Sequence, residues 1–175
     1  MIVSIQPKHP APYPGLPPFQ QNQADIFFGR EEQVDRILQK LADNQFLALV
    51  GASGSGKSSL AYAGMIAALE AGYMAGGDRW RIADMKPRDQ PLTNLATALL
   101  RTSRSPVYDN ADAVSWALST LEVSPLGLIE LLRKTSLAKE AAILPPGERL
   151  LILVDQFEEL FRYRDEVDPA SRRMA

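Results

Sequence analysis

The chain has 175 residues, 46 % of them hydrophobic and 23 % charged, which suffices for one domain with a sizeable core and is ordinary for a soluble globular protein. A net charge of -2 advertises no general polyanion-binding surface, so no nucleic-acid partner is expected, and Arg101/Arg104 and Arg172/Arg173 read as solvated surface. With no cysteine, disulfides, thiolate metal sites and cysteine nucleophiles are excluded.

From the amino terminus, MIVSIQPKHP is too short in apolar residues for a signal peptide and is broken by Pro7. Residues 1–23 form a Pro/Gln-rich arm that cannot be helical and is expected to run extended across the domain surface, anchored by Tyr13, Leu16 and Phe19. The alternative is a tail without fixed structure. His9, the single histidine, has no ligand partner in sequence and is set aside as a metal or catalytic residue. The folded domain is expected to occupy 24–175. Phe27-Phe28 and Gly29 lead into a helix with Val34, Ile37, Leu38 and Leu41 at helical spacing. An apolar pair and a glycine at this place could wall a purine pocket or simply start a helix.

Residues 46–61, FLALVGASGSGKSSLA, carry the densest chemistry. The apolar run Phe46–Val50 predicts a first core strand, and GASGSGKS fills GxxxxGK[ST] at Gly51, Gly56, Lys57 and Ser58. Such a loop aims backbone N–H groups at a phosphate, and its glycines reach conformations closed to other residues. The helix predicted over 57–71 adds its unpaired N–H groups. This is the Walker A loop of a P-loop NTPase: Gly51, Ala52, Ser53, Gly54, Ser55, Gly56 and Ser59 line the phosphates. Lys57 reaches the β- and γ-phosphates and Ser58 ligates Mg²⁺.

Gly72, Gly76 and Gly77 mark a loop, RWRIADM (79–85) a strand, and KPRDQP (86–91) a turn. Pro91 suits the start of a helix with Leu92, Leu95, Ala96 and Leu99 on one face, and helices are expected around 111–122 and 125–139. Trp116 and Leu118 read as core. After the breaker LPPGE, RLLILV (149–154) has the unbroken apolar character of a parallel strand covered on both faces, far too short to span a membrane. Asp155 at its end is placed as a Walker B acid that organises Mg²⁺. Glu158 or Glu159, with Glu159 preferred, could polarise the attacking water, or the two could merely begin a surface helix.

PYPGLPPF (12–19), DIFFGRE (25–31), FLALVGASGSGKSSLAYAG (46–64), the block from Trp80 through KPRDQPLTNLATAL to residue 99, and LILVDQFEELF (151–161) together resemble the novel STAND-type NTPases. These are a branch of the signal-transduction ATPases, often large bacterial proteins with C-terminal WD40 or other repeats. The resemblance implies a three-layer α/β fold with a parallel sheet, adenine near Phe28 and Gly29, ATP rather than GTP, and Mg²⁺ as cofactor. It also implies a cytoplasmic nucleotide-dependent switch in signalling or defence, slow hydrolysis, and partners in C-terminal repeat or sensor domains and in self-association. The chain departs from the family at Pro17, where a basic residue is usual, and beyond Asp155. The sensor strand, arginine-bearing region, helical lid and winged helix expected there do not follow. Asp168-Pro169-Ala170-Ser171 reads as the start of a helix of which RRMA supplies scarcely a turn, so the sequence is read as a truncated or excised piece with an incomplete sheet and little turnover. Two other readings share the loop: a small-molecule or nucleotide kinase, and a non-catalytic nucleotide-binding or interaction fragment.

Overall fold

The computed structural model describes residues 15–74, 79–103, 110–135, 144 and 147–162. Tyr13, His9, Gly76, Gly77, Arg104, residues 136–139, Arg172/Arg173 and the helix start at Asp168–Ser171 lie outside them. The chain divides into two compact units, Met1–Gly76 and Gly77–Ala175. No helix among the described residues is long and apolar enough to cross a membrane.

The first unit packs a helix against the helical rod that follows the glycine loop. After a 3-10 turn at Gln21–Ile26, helix α1 (Glu31–Asp43) carries acids in its first turn and Lys40 in its last, which suits the helix dipole. Its expected stripe holds, with Ile37 and Leu38 buried and Val34 and Leu41 half-buried. The rod begins as α2 (Lys57–Ser59), widens into a π segment at Leu60–Ile66 and closes as α3 (Ala67–Glu70). The π segment is the departure from a plain helix over 57–71, and α1 packs against it. A Cβ on Gly64 would stand 2.7 Å from Val34 Cγ2, so only a glycine lets the two backbones approach this far. Ala61, Ala63, Met65 and Ile66 are buried beside it.

The expected strand at 46–50 is not formed. The segment has no ladder partner among the described residues, and Phe46 and Val50 are 83 % and 92 % exposed. An apolar stretch becomes a strand only when a neighbour supplies its hydrogen bonds and a layer covers its face. The arm also differs in one anchor. Phe19 is half-buried and tilts against Phe27 with ring centroids 5.5 Å apart, whereas Leu16 is fully exposed.

The second unit is a mixed α/β body compatible with part of a P-loop fold. Strands β1 (Arg79–Met85) and β2 (Glu148–Val154) form a two-stranded parallel sheet, in register from Arg79 opposite Glu148 to Met85 opposite Val154. The long crossover between them contains α4 (Pro91–Thr102), α5 (Ala111–Val123) and α6 (Gly127–Thr135). α4 lies on β1 and α5, and α6 packs on α5. The core gathers Ala83 and Met85 of β1 with Ala96, Leu99 and Leu100 of α4, Ala117 of α5 and Leu131 of α6. Trp116 packs against its edge, while Leu92 in the first turn of α4 is exposed rather than on the buried face. β2 has no fully buried residue, in contrast to the doubly covered strand expected; the helix α4 lies on β1, and β2 packs on the core through partly buried Leu150, Ile152 and Val154. At the amino ends of the strands Glu148 pairs with Arg81 at 2.6 Å, both side chains largely buried.

Gly127 sets the α5–α6 contact, since a Cβ there would fall 2.2 Å from Thr120 O and 2.8 Å from Leu121 Cα. Backbone cannot yield as a side-chain tip can. Gly127→Ala is therefore expected to cost about 2–3 kcal/mol in urea denaturation. Gly147→Ala, at φ +73 with nothing within 4 Å, should cost only about 1 kcal/mol of left-handed strain.

Candidate functional site

The glycine loop of the first unit is exposed from Gly51 to Gly56 and half-buried from Lys57 to Leu60. Gly54 and Gly56 take left-handed φ of +77 and +85, the alternation that turns successive backbone N–H groups to one side. A Cβ at either would meet nothing, so glycine is needed there for conformation. At Gly51 the need is space, because a Cβ would sit 3.0 Å from Ser55 Oγ. Ser55 N–H donates to Ala52 O, and the Leu60 N–H to Gly56 O bond opens the helix. Lys57 folds back over the loop, its ammonium donating to Gly51 O at 2.8 Å and Ala52 O at 3.0 Å. Gly51, Ala52, Ser53, Gly54, Ser55, Gly56, Lys57, Ser58 and Ser59 thus form one continuous turn-and-helix-start, with a cation held over its carbonyls.

Two other segments of the same unit were expected to bear on the site or on the domain surface. The Phe19 N–H donates to Ser59 Oγ at 3.1 Å, which ties the arm to the first turn of the rod. Phe28 is 77 % exposed, and Gly29 adopts φ +80 just before α1. Gly29 N–H donates to Glu31 Oε1 at 2.9 Å, and the N–H groups of Glu31 itself and of Gly29 hold the Glu31 carboxyl below its ordinary value. This helix start is fastened by its own polar groups, with the Phe28 ring left facing outward.

In the second unit the carboxyl end of β2 turns sharply. Asp155 N–H donates to Met85 O at 2.9 Å, extending the ladder one step past the strands. Gln156 then takes φ +59, a left-handed conformation that a side chain resists, and residues 155–158 turn into a short helix at 159–162. Asp155 Oδ1 accepts the Gln156 N–H, and its Oδ2 lies 3.4 Å from the ammonium of Lys86. The Asp155 side chain is only 12 % exposed. Glu159 is half-buried and accepts the Arg88 N–H at 2.9 Å, whereas Glu158 is exposed. The two glutamates therefore differ: one braces the loop after β1, and the other faces outward. Among the described residues no three His, Cys, Asp or Glu side chains gather into a metal cluster.

Sequence reasoning passed over Lys86, Arg88 and Asn94, all assigned to a turn or a helix face. Asn94 Nδ2 donates to Lys86 O at 3.1 Å and Pro87 O at 2.9 Å, and so fixes the loop that carries Lys86. The signal for Lys86 was present in the strand ends. A base one residue past β1 faces an acid one residue past β2 once the parallel register is known.

A family model described as Novel STAND NTPase 1 matches residues 12–174, nearly the whole chain. No curated protein and no solved structure matches it.

The exit turn predicts a graded response in urea denaturation. Gln156→Gly should be neutral or mildly stabilising, and Gln156→Val should cost about 1–2 kcal/mol, since a β-branched residue tolerates left-handed φ least. Glu159→Ala should cost about 1 kcal/mol through the lost bond to the Arg88 N–H, and Glu158→Ala less than about 0.5 kcal/mol.

Proposed function

We propose a function from one premise: this chain belongs to the novel STAND NTPase 1 family, whose model spans it. As an NTPase-family member it binds nucleotide. The finer reading is that it binds ATP with Mg²⁺, hydrolyses it slowly, and works in the cytoplasm as a nucleotide-dependent switch in signalling or defence. C-terminal repeat or sensor domains and self-association would serve as its output.

The observation that carries this reading is the loop at 51–58, whose left-handed Gly54 and Gly56 lead into a helix and whose Lys57 ammonium rests on loop carbonyls. A phosphate chain offers that ammonium stronger, charged acceptors than two neutral carbonyls. In this reading the amides of Gly51–Ser59 surround the phosphates, Lys57 shifts onto the β- and γ-phosphates, and Phe28 with Gly29 lies near adenine. The exposure of Phe28 supports that role, because an outward ring is available for stacking.

Mg²⁺ in nucleotide sites takes one or two protein oxygens and completes its shell from phosphates and water. In the second unit Asp155 is a mostly buried carboxylate suited to hold such an ion; in the first unit, taken by itself, the Ser58 hydroxyl at the start of the rod is a candidate ligand. When bound, such an ion would supply positive charge that offsets the charge of the phosphates. For the attacking water the outward-facing Glu158 suits the base better than Glu159, whose carboxylate is engaged by Arg88 N–H.

Phosphate-release kinetics test the reading. The expected outcome is slow ATP turnover that excess GTP does not suppress, falling about a hundredfold or more in Glu158→Gln with ATP affinity retained, and less in Glu159→Gln. Turnover unchanged in both variants would remove the acids from the mechanism. Phosphate appearing on an added acceptor rather than in solution would make the protein a kinase.

A further inference from the structure

Lys86 has no place in the reading above, yet its ammonium lies beside the acid on which that reading depends. Met85 and Val154 are the last register pair of the sheet, and Lys86 and Asp155 are the next residue on each strand. The Asp155 N–H to Met85 O bond fixes their backbones side by side. The loop bearing Lys86 is itself fastened. Asn94 holds the carbonyls of Lys86 and Pro87, Pro87 is fully buried, and Arg88 N–H is tied to Glu159. The lysine is thus aimed by a built loop, with its ammonium 3.4 Å from Asp155 Oδ2 and its side chain about one-third exposed.

We propose that Lys86 is a displaceable counter-ion of Asp155: it holds the carboxylate in place while no metal is bound and withdraws when a divalent cation takes that oxygen. This rests on the reading of Asp155 as a metal ligand. A mostly buried carboxylate is costly without a positive partner, and the lysine meets that need in the metal-free state. A divalent ion on the same oxygen would stand within a few ångströms of the ammonium, and like charges at that range repel strongly in a partly buried site. One of the two must leave. Lysine, a compact charge on a flexible stem, can swing into water while its backbone stays fixed. The consequence is a threshold: Mg²⁺ adds less to ATP affinity than it would beside a neutral residue. The position of Lys86, two residues before the left-handed turn at Arg88 (φ +48), makes the loop after β1 responsive to the metal-bound state.

The test is the gain in ATP affinity on going from excess EDTA to saturating Mg²⁺, measured on the full chain. Relative to wild type, Lys86→Met should raise that gain by on the order of three- to tenfold. Lys86→Gln serves as a second neutral variant should the first not fold. Lys86→Arg, which keeps the cation, should restore the wild-type gain. In EDTA without nucleotide, Lys86→Met should also lower the unfolding midpoint in the wild-type background but not in Asp155→Asn. A gain that Asp155→Asn abolishes and both neutral Lys86 variants leave unchanged overturns the counter-ion role alone. A gain that Asp155→Asn does not alter overturns the metal-ligand reading of Asp155, and the Lys86 inference with it.

Discussion

In the second unit, the amide of Asp155 donates to the carbonyl of Met85 one residue beyond the two strands. That bond continues a parallel ladder whose register is set from Arg79–Glu148 to Met85–Val154. Because side chains in a strand alternate faces, a slip of one residue would turn Asp155 to the opposite side of the sheet and part it from Lys86. The left-handed turn at Gln156 and the brace from Glu159 to Arg88 follow from the same register. The helical crossover supplies the burial that keeps β1 in place, through Ala83 and Met85 against Ala96 and Leu99. Packing, ladder and charged cluster are therefore one dependency, running from core to strand end.

The first unit solves a different problem. A loop of exposed glycines gains little from burial, so its shape must come from backbone conformation and local hydrogen bonds. Gly54 and Gly56 supply the left-handed steps, Ser55 closes a turn on Ala52, and Lys57 bonds to two carbonyls of its own loop. The ammonium thus fastens the loop through its own carbonyls, bonds that it would exchange for phosphate oxygens in the proposed function. The close approach of α1 at Gly64 and the tie from the arm to Ser59 hold the rod behind the loop.

Much of this was legible in the sequence wherever local chemistry alone decides. RWRIADM formed its strand with the boundaries read for it, and Pro91 opened its helix, as proline at a first helical position should. The glycine loop and the acid at the end of LLILV were found by spacing. What was missed depends on partners distant in the chain. Phe46–Val50 has strand composition but no ladder partner among the described residues, so propensity had nothing to act on. Leu16 is apolar yet meets no surface that covers it. The widened turn at Leu60–Ile66 coincides with an approach by α1 that the rod's own sequence does not announce. Lys86 and Asp155 are far apart in sequence, and only the parallel register joins them. The pair Glu158 and Glu159 was ambiguous because their difference is the amide of Arg88.

The measurement that tests the central claim most directly is a calorimetric titration of the chain with ATP and Mg²⁺, run beside Lys57→Ala. If the glycine loop is the phosphate cradle, wild type binds saturably and Lys57→Ala loses at least about tenfold in affinity, roughly 1.4 kcal/mol. Equal affinity in the two proteins, or no binding by folded wild type, would contradict the account.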